Sequence, residues 1–89
     1  MYSRITTVIN ETGLHARPAS DFMRAAMKFR SNIQIGPAGG TPRANAKSIL
    51  MILGLGIRKG AEVEITAEGE DQKEAVDSLV GLIESGFGE

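Results

Sequence analysis

Apolar and polar positions along the chain recur with two distinct periods, and these divide it into strands and helices. Ser3 to Ile9 alternate, with Ile5, Thr7 and Ile9 on one face and Arg4, Thr6 and Val8 on the other, which predicts a strand. Asn10 to Gly13 is turn-rich. From Ala16 to Phe29 the spacing changes to three and four. Ala19, Phe22, Met23, Ala26 and Phe29 form one apolar stripe of a helix. Pro18 suits its first turn, and Arg24, Lys28 and Arg30 suit its C-terminal half. Asn32 to Ile35 reads as a second strand, followed by the loop "GPAGGTP" and a short third strand near Thr41 to Ala44, which Pro42 confines to an edge. Ser48 to Leu53 is an apolar run that fits either a strand or a short helix. Ser48 as N-cap and Gly54 and Gly56 as stops favour the helix. "KGAEVEITAEG" alternates cleanly, with Ala61, Val63, Ile65 and Ala67 inward. Asp71 and Glu74 have the spacing of a capping box ahead of a last helix, whose face is Ala75, Val76, Leu79, Leu82 and Ile83. Gly86 ends that helix, and the residues after it are expected to fray.

The predicted order is β-α-β-β-α-β-α. Helices alternating with strands that have polar outer faces predict an α+β two-layer open-faced sandwich: a four-stranded antiparallel sheet with three helices on one face. With 89 residues, the chain is expected to form a single domain over 1–89.

Composition narrows the function more by exclusion than by suggestion. A net charge of −1 gives no bulk attraction for nucleic acid or anionic membranes. Aromatics are few, and only Tyr2 falls in a predicted strand, so a stacking platform for single-stranded nucleic acid is not expected. No cysteine and one histidine leave no thiolate or multi-histidine metal site, and no cofactor is called for. The N-terminal segment has no signal-peptide pattern, and "ILMILGLGI" is about half of a membrane span. A cytoplasmic, monomeric protein is expected.

The chemistry concentrates in "GLHARPAS", Gly13 to Ser20. His15 is the only histidine, and it stands at a predicted helix start. Imidazole is nucleophilic near neutral pH. First-turn amides are unsatisfied donors with partial positive charge, and Arg17 offers a planar fork matched to phosphate oxygens. Gly13 allows a tight turn before the imidazole. These are the parts that phosphoryl transfer needs. Taken alone, a single histidine such as His15 is more often a surface or capping residue, and Arg17 is equally a solvated helix residue.

"GLHARPAS" closely resembles the phosphorylation-site segment of the HPr family, the histidine-containing phosphocarriers of the bacterial phosphoenolpyruvate-dependent sugar phosphotransferase system. "NAKSILMILGLGIRKGAEVEITAEGED" resembles the family's second hallmark, a Lys-Ser-Ile step followed by an apolar helix, a Lys-Gly turn and the last strand. The resemblance implies a carrier without turnover of its own. Its His15 would be phosphorylated on Nδ1 by enzyme I, with Arg17 beside it, and would pass the phosphoryl group to IIA domains of sugar permeases. It also implies that Ser48 is a regulatory site for an HPr kinase/phosphorylase, linking the chain to a transcriptional regulator of carbon catabolite control. Ile49, Leu50 and Leu53 correspond to the docking patch, Arg17, Arg24 and Lys47 to its basic rim, and Met51 and Ile52 to core. The loop "GPAGGTPRANAKS" is longer than in many members and displaces the serine by two positions. A similar extension marks the nitrogen-related (NPr) branch, which usually lacks the Lys-Ser-Ile step present here; the tail "SGFGE" resembles proteobacterial members. Two rival readings remain at this stage. One is an acylphosphatase-like hydrolase using Arg17 and Asn45. The other is a purely regulatory adaptor acting through Ser48.

Overall fold

A computed structural model describes Met1 to Glu89. The strands are β1 (Tyr2–Thr7), β2 (Asn32–Pro37), β3 (Ala44–Asn45) and β4 (Glu62–Glu68); the helices are α1 (Ala16–Ala26), α2 (Ile49–Gly54) and α3 (Gln72–Glu84), followed by a 3-10 turn at Gly86–Gly88. All strand pairs are antiparallel, in the order β1-β4-β2-β3. The predicted element order and open-faced sandwich are both present.

Side chains alternate across β4: Val63, Ile65 and Ala67 are buried, while Glu62 and Glu68 are exposed. Ile33 and Ile35 of β2 lie in the same buried layer. Against it pack Phe22 and Ala26 of α1, Ile52 of α2, and Val76, Leu79 and Ile83 of α3, giving one continuous core.

The register decides which face of β1 turns inward. Arg4 lies opposite Ile65 and Thr6 opposite Val63, on the helix side; Ile5 lies opposite Glu64, on the open side. Thr6 and Val8 are therefore buried, while Ile5 is 55% exposed and Ile9 52%. The more apolar face of this strand looks out. Polar residues on its inner face are met by α3: Thr6 donates to Glu84, and Tyr2 and Arg4 both donate to Asp77.

Asp77 also accepts from Lys73 at 2.8 Å. That bond first, then those from Arg4 and Tyr2, hold its carboxyl down to about 2, below the 3.8 of a free side chain. A carboxyl lowered on folding adds stability that is present above the unfolded value and is lost as pH falls through the folded one. Glu64, Asp71 and Glu89 are lowered too, by their bonds to Arg43, Ser31 and Thr12 respectively, and act in the same direction. The melting temperature is expected to drop between pH 4 and pH 2, roughly the window these values define. Asp77→Asn should flatten that decline in a series of thermal melts; a profile with the wild-type slope would refute the assignment.

Three local expectations are corrected. Helix α1 stops at Ala26, short of Phe29, because Lys28 and Phe29 bond three residues back, to Ala25 and Ala26, and tighten the last turn. The third strand is Ala44–Asn45, set later than Thr41–Ala44. Asp71 makes no side-chain cap on α3. Its carboxylate instead accepts from the Arg30 and Ser31 amides and from the Ser31 hydroxyl, pinning the α1–β2 turn to the start of α3.

Candidate phosphoryl-acceptor site

The segment before α1 is built to present one side chain. Asn10 to Gly13 turns back on itself, with the Gly13 amide donating to the Asn10 carbonyl. Gly13 has φ +65°, a left-handed conformation that glycine adopts without strain. Leu14 is fully buried, and its amide donates to the Ile57 carbonyl at 3.0 Å. Pro18 and Ala19 are buried on the other side. Between these anchors, His15 stands half-buried as the N-cap of α1 in extended conformation (φ −131°, ψ 162°). Ala16 follows with φ 52°, an alanine held in the left-handed region at a cost of about 1 kcal/mol.

The His15 ring makes no capping bond, so the first-turn N–H groups are not occupied by it. No acidic residue lies in that turn. Arg17 is exposed and pairs with no carboxylate; the five ion pairs of the protein are elsewhere. An imidazole, a helix N-terminus and an unpaired guanidinium thus lie within three residues, a combination whose chemistry suits an anion.

The other expected residues divide. Ser48 is the N-cap of α2, its Oγ accepting from the Met51 amide at 3.3 Å. Helix α2 packs on α1, which carries His15 at its start. Leu50 is 78% exposed and Leu53 37%; Ile49 is half-buried against the core. Ile52 is core, as expected, but Met51 is 48% exposed and is not. A six-residue helix has too few turns to bury two adjacent side chains, so Met51 joins the exposed set. Arg24 is exposed and paired with Asp21 at 2.8 Å. Lys47 is committed: its Nζ donates to the Phe29 carbonyl at 2.7 Å, satisfying the end of the turn after α1. Asn45, drafted for the hydrolase reading, sits on the edge strand β3, where its Oδ1 accepts from the Lys47 amide.

Sequence reasoning missed two features. Met27, 58% exposed just beyond α1, adds to the apolar surface; its place off the buried stripe was the available signal. The tail after α3 forms a 3-10 turn. Gly86, Phe87 and Gly88 all have positive φ and curl the chain so that Glu89 reaches Thr12.

None of the three surface clefts includes His15. The largest, about 380 Å³, lies on the open face of the sheet and is lined by Gln34, Asn45, Lys47 and Thr66 among others. His15 itself is half-buried at the start of α1 and lines none of them.

Fold and site together define a class: an open-faced sandwich that displays a histidine at the start of its first helix. Residues 2–85 match the family model described as the PTS HPr component phosphorylation site. The chain is 41% identical over 80 residues to the phosphocarrier protein HPr of Haloferax volcanii, covering 90% of each. Among solved structures it is similar to HPr-C-His from Thermoanaerobacter tengcongensis, with TM-score 0.94 and 46% identity, over 100% of this chain and 98% of that one. It is also similar to an HPr dimer from the same organism, with TM-score 0.78 and 48% identity, over 94% of each. The chain belongs to the HPr family, the phosphocarriers of the phosphotransferase system.

Proposed function

We propose that this phosphocarrier accepts its phosphoryl group on His15 Nδ1 from phospho-enzyme I, charged by phosphoenolpyruvate, and delivers it to IIA components of sugar permeases. The observation that carries this reading is the half-buried, uncapped His15 with a free Arg17 two residues on. The Nδ1 lone pair attacks phosphorus as the bond to enzyme I breaks. Arg17 and the first-turn amides take the charge on the equatorial oxygens. Delivery is the same step in reverse, toward a different acceptor. The chain acts as a single copy and as a cytoplasmic carrier with no turnover of its own; no helix is long and apolar enough to cross a membrane. Incubation with enzyme I and phosphoenolpyruvate should place one acid-labile phosphate per chain, mapped by mass spectrometry to His15. A phosphate found elsewhere would overturn the reading.

A second reading rests on Ser48. Ser48 is half-buried as the N-cap of α2, beside the exposed Leu50 and Met51. A phosphate added there by an ATP-dependent HPr kinase/phosphorylase meets the α2 N-terminus, so no refolding is required. It places negative charge on the proposed docking surface and weakens association with an acidic enzyme I, while offering a recognition mark to a transcriptional regulator. Ser48→Asp is expected to raise the Kd for enzyme I by about tenfold, with a weaker effect in high salt. Calorimetric titration at two ionic strengths checks this; an unchanged Kd would remove Ser48 from the docking surface.

A further inference from the structure

The loop that leads to His15 is held from two sides. On one side the Leu14 amide is bonded to the Ile57 carbonyl. On the other lies a relay of side chains that runs to Glu89. Asn10 is 3% exposed, and its Nδ2 donates to the Gly13 carbonyl at 2.9 Å and to Thr12 Oγ1 at 3.3 Å. Thr12 Oγ1 donates to Glu89 Oε2 at 2.6 Å, and the Thr12 amide donates to Glu89 Oε1 at 3.2 Å. One carboxylate therefore accepts two bonds from a single residue of the loop, and the hydroxyl between them is polarised from both ends.

The tail is shaped for this contact. Gly86, Phe87 and Gly88 have φ 74°, 55° and 80°, and the Glu89 amide closes on the Gly86 carbonyl at 3.0 Å. The two glycines take this conformation freely, and Phe87, the one non-glycine among them, is held in it while packed against the core. The Thr12 hydroxyl and amide hold the Glu89 carboxyl below the usual carboxylate range, so the clasp is closed at neutral pH. Neither bond is needed by the core, whose members lie elsewhere.

We infer that Glu89 is a positioning residue for phosphoryl transfer: through Thr12, Asn10 and the Gly13 carbonyl, its side chain fixes the loop from which His15 projects. The clasp acts two residues from His15 and touches no phosphate itself. Its contribution is to keep the imidazole in the orientation that enzyme I meets, so that less ordering remains at docking.

This inference rests on His15 being the acceptor, and the test separates the two. The wild-type chain is charged first with enzyme I and phosphoenolpyruvate; failure to label His15 there would count against the function and not against the clasp. Glu89→Gln, Glu89→Ala and Thr12→Val are then compared with it by nuclear magnetic resonance and by initial labelling rate. In all three the His15 ring and Gly13 amide signals should move while those of α2 stay, and the Thr12 amide should lose its exchange protection in Glu89→Ala, which removes its acceptor. Labelling should slow about fivefold, the worth of one hydrogen bond. The double variant Glu89→Ala/Thr12→Val should be no slower than the worse single one. Unmoved His15 signals, wild-type labelling rates or fully additive losses would each overturn the clasp.

Discussion

Alanine in place of His15 should take no phosphate from enzyme I and phosphoenolpyruvate, while its fold and melting temperature stay close to wild type. His15 is half-buried, makes no capping bond and lies outside the core, so its removal leaves neither a large cavity nor an unpaired buried partner. It is the only histidine, so no second imidazole can substitute. Arg17→Ala tests the electrostatic half of the site. Arg17 is exposed and unpaired, so its loss leaves stability unchanged. A transition-state charge that loses one fixed donor slows by about 10²- to 10³-fold. Arg17→Lys should recover only part of that rate, because an ammonium keeps the charge but lacks the planar fork. Single-turnover labelling separates these cases. Acid-labile phosphate on His15→Ala would falsify the acceptor assignment, and a wild-type rate for Arg17→Ala would remove the arginine from the mechanism.

What could be read before the structure follows from how local each signal is. The β4 and α3 patterns repeat over several residues, and their periods alone place Val63, Ile65, Leu79 and Ile83 in the core. The helix start in "GLHARPAS" is legible for the same reason, since cap, arginine and proline are neighbours in sequence, whereas the seat of Leu14 against Ile57 is not. What sequence did not disclose depends on register or on distant contacts. In β1, alternation separates Ile5, Thr7 and Ile9 from Arg4, Thr6 and Val8 without saying which face turns inward; in the fold it is Thr6 and Val8 that are buried. Asp71 has capping spacing, yet the Ser31 turn, forty residues away along the chain, claims its carboxylate. Lys47 looks like a free basic rim residue until the Phe29 carbonyl is seen beside it. Glu89 and Thr12 are 77 residues apart, and no period in the chain connects them.

Gly13→Ala should do the most structural damage of any single added methyl near the site. At φ +65° an L-residue costs about 1–2 kcal/mol relative to its preferred conformations. The space is also closed. A Cβ at position 13 would stand 2.5 Å from the Ile57 carbonyl oxygen and 2.8 Å from Arg58 Cα. Both are backbone atoms and cannot rotate away, so the strand of chain leading out of α2 must shift. The Ile57 carbonyl is the same group that accepts from the Leu14 amide, so relief of the overlap stretches that bond as well. The sum is about 2–4 kcal/mol, or roughly 10–20 °C in melting temperature for a chain of this size. Gly54→Ala is the control: its φ is ordinary, it meets nothing within 4 Å, and it lies in α2, where alanine is preferred by about 0.5–1 kcal/mol. Circular-dichroism melts should therefore move in opposite directions for the two variants. Phosphoryl uptake at a temperature where Gly13→Ala remains folded should also fall, because the displaced loop carries His15. A melting temperature for Gly13→Ala within a degree or two of wild type would mean that the loop yields without cost. In that case the close approach of Gly13 to Ile57 would not be what seats the histidine.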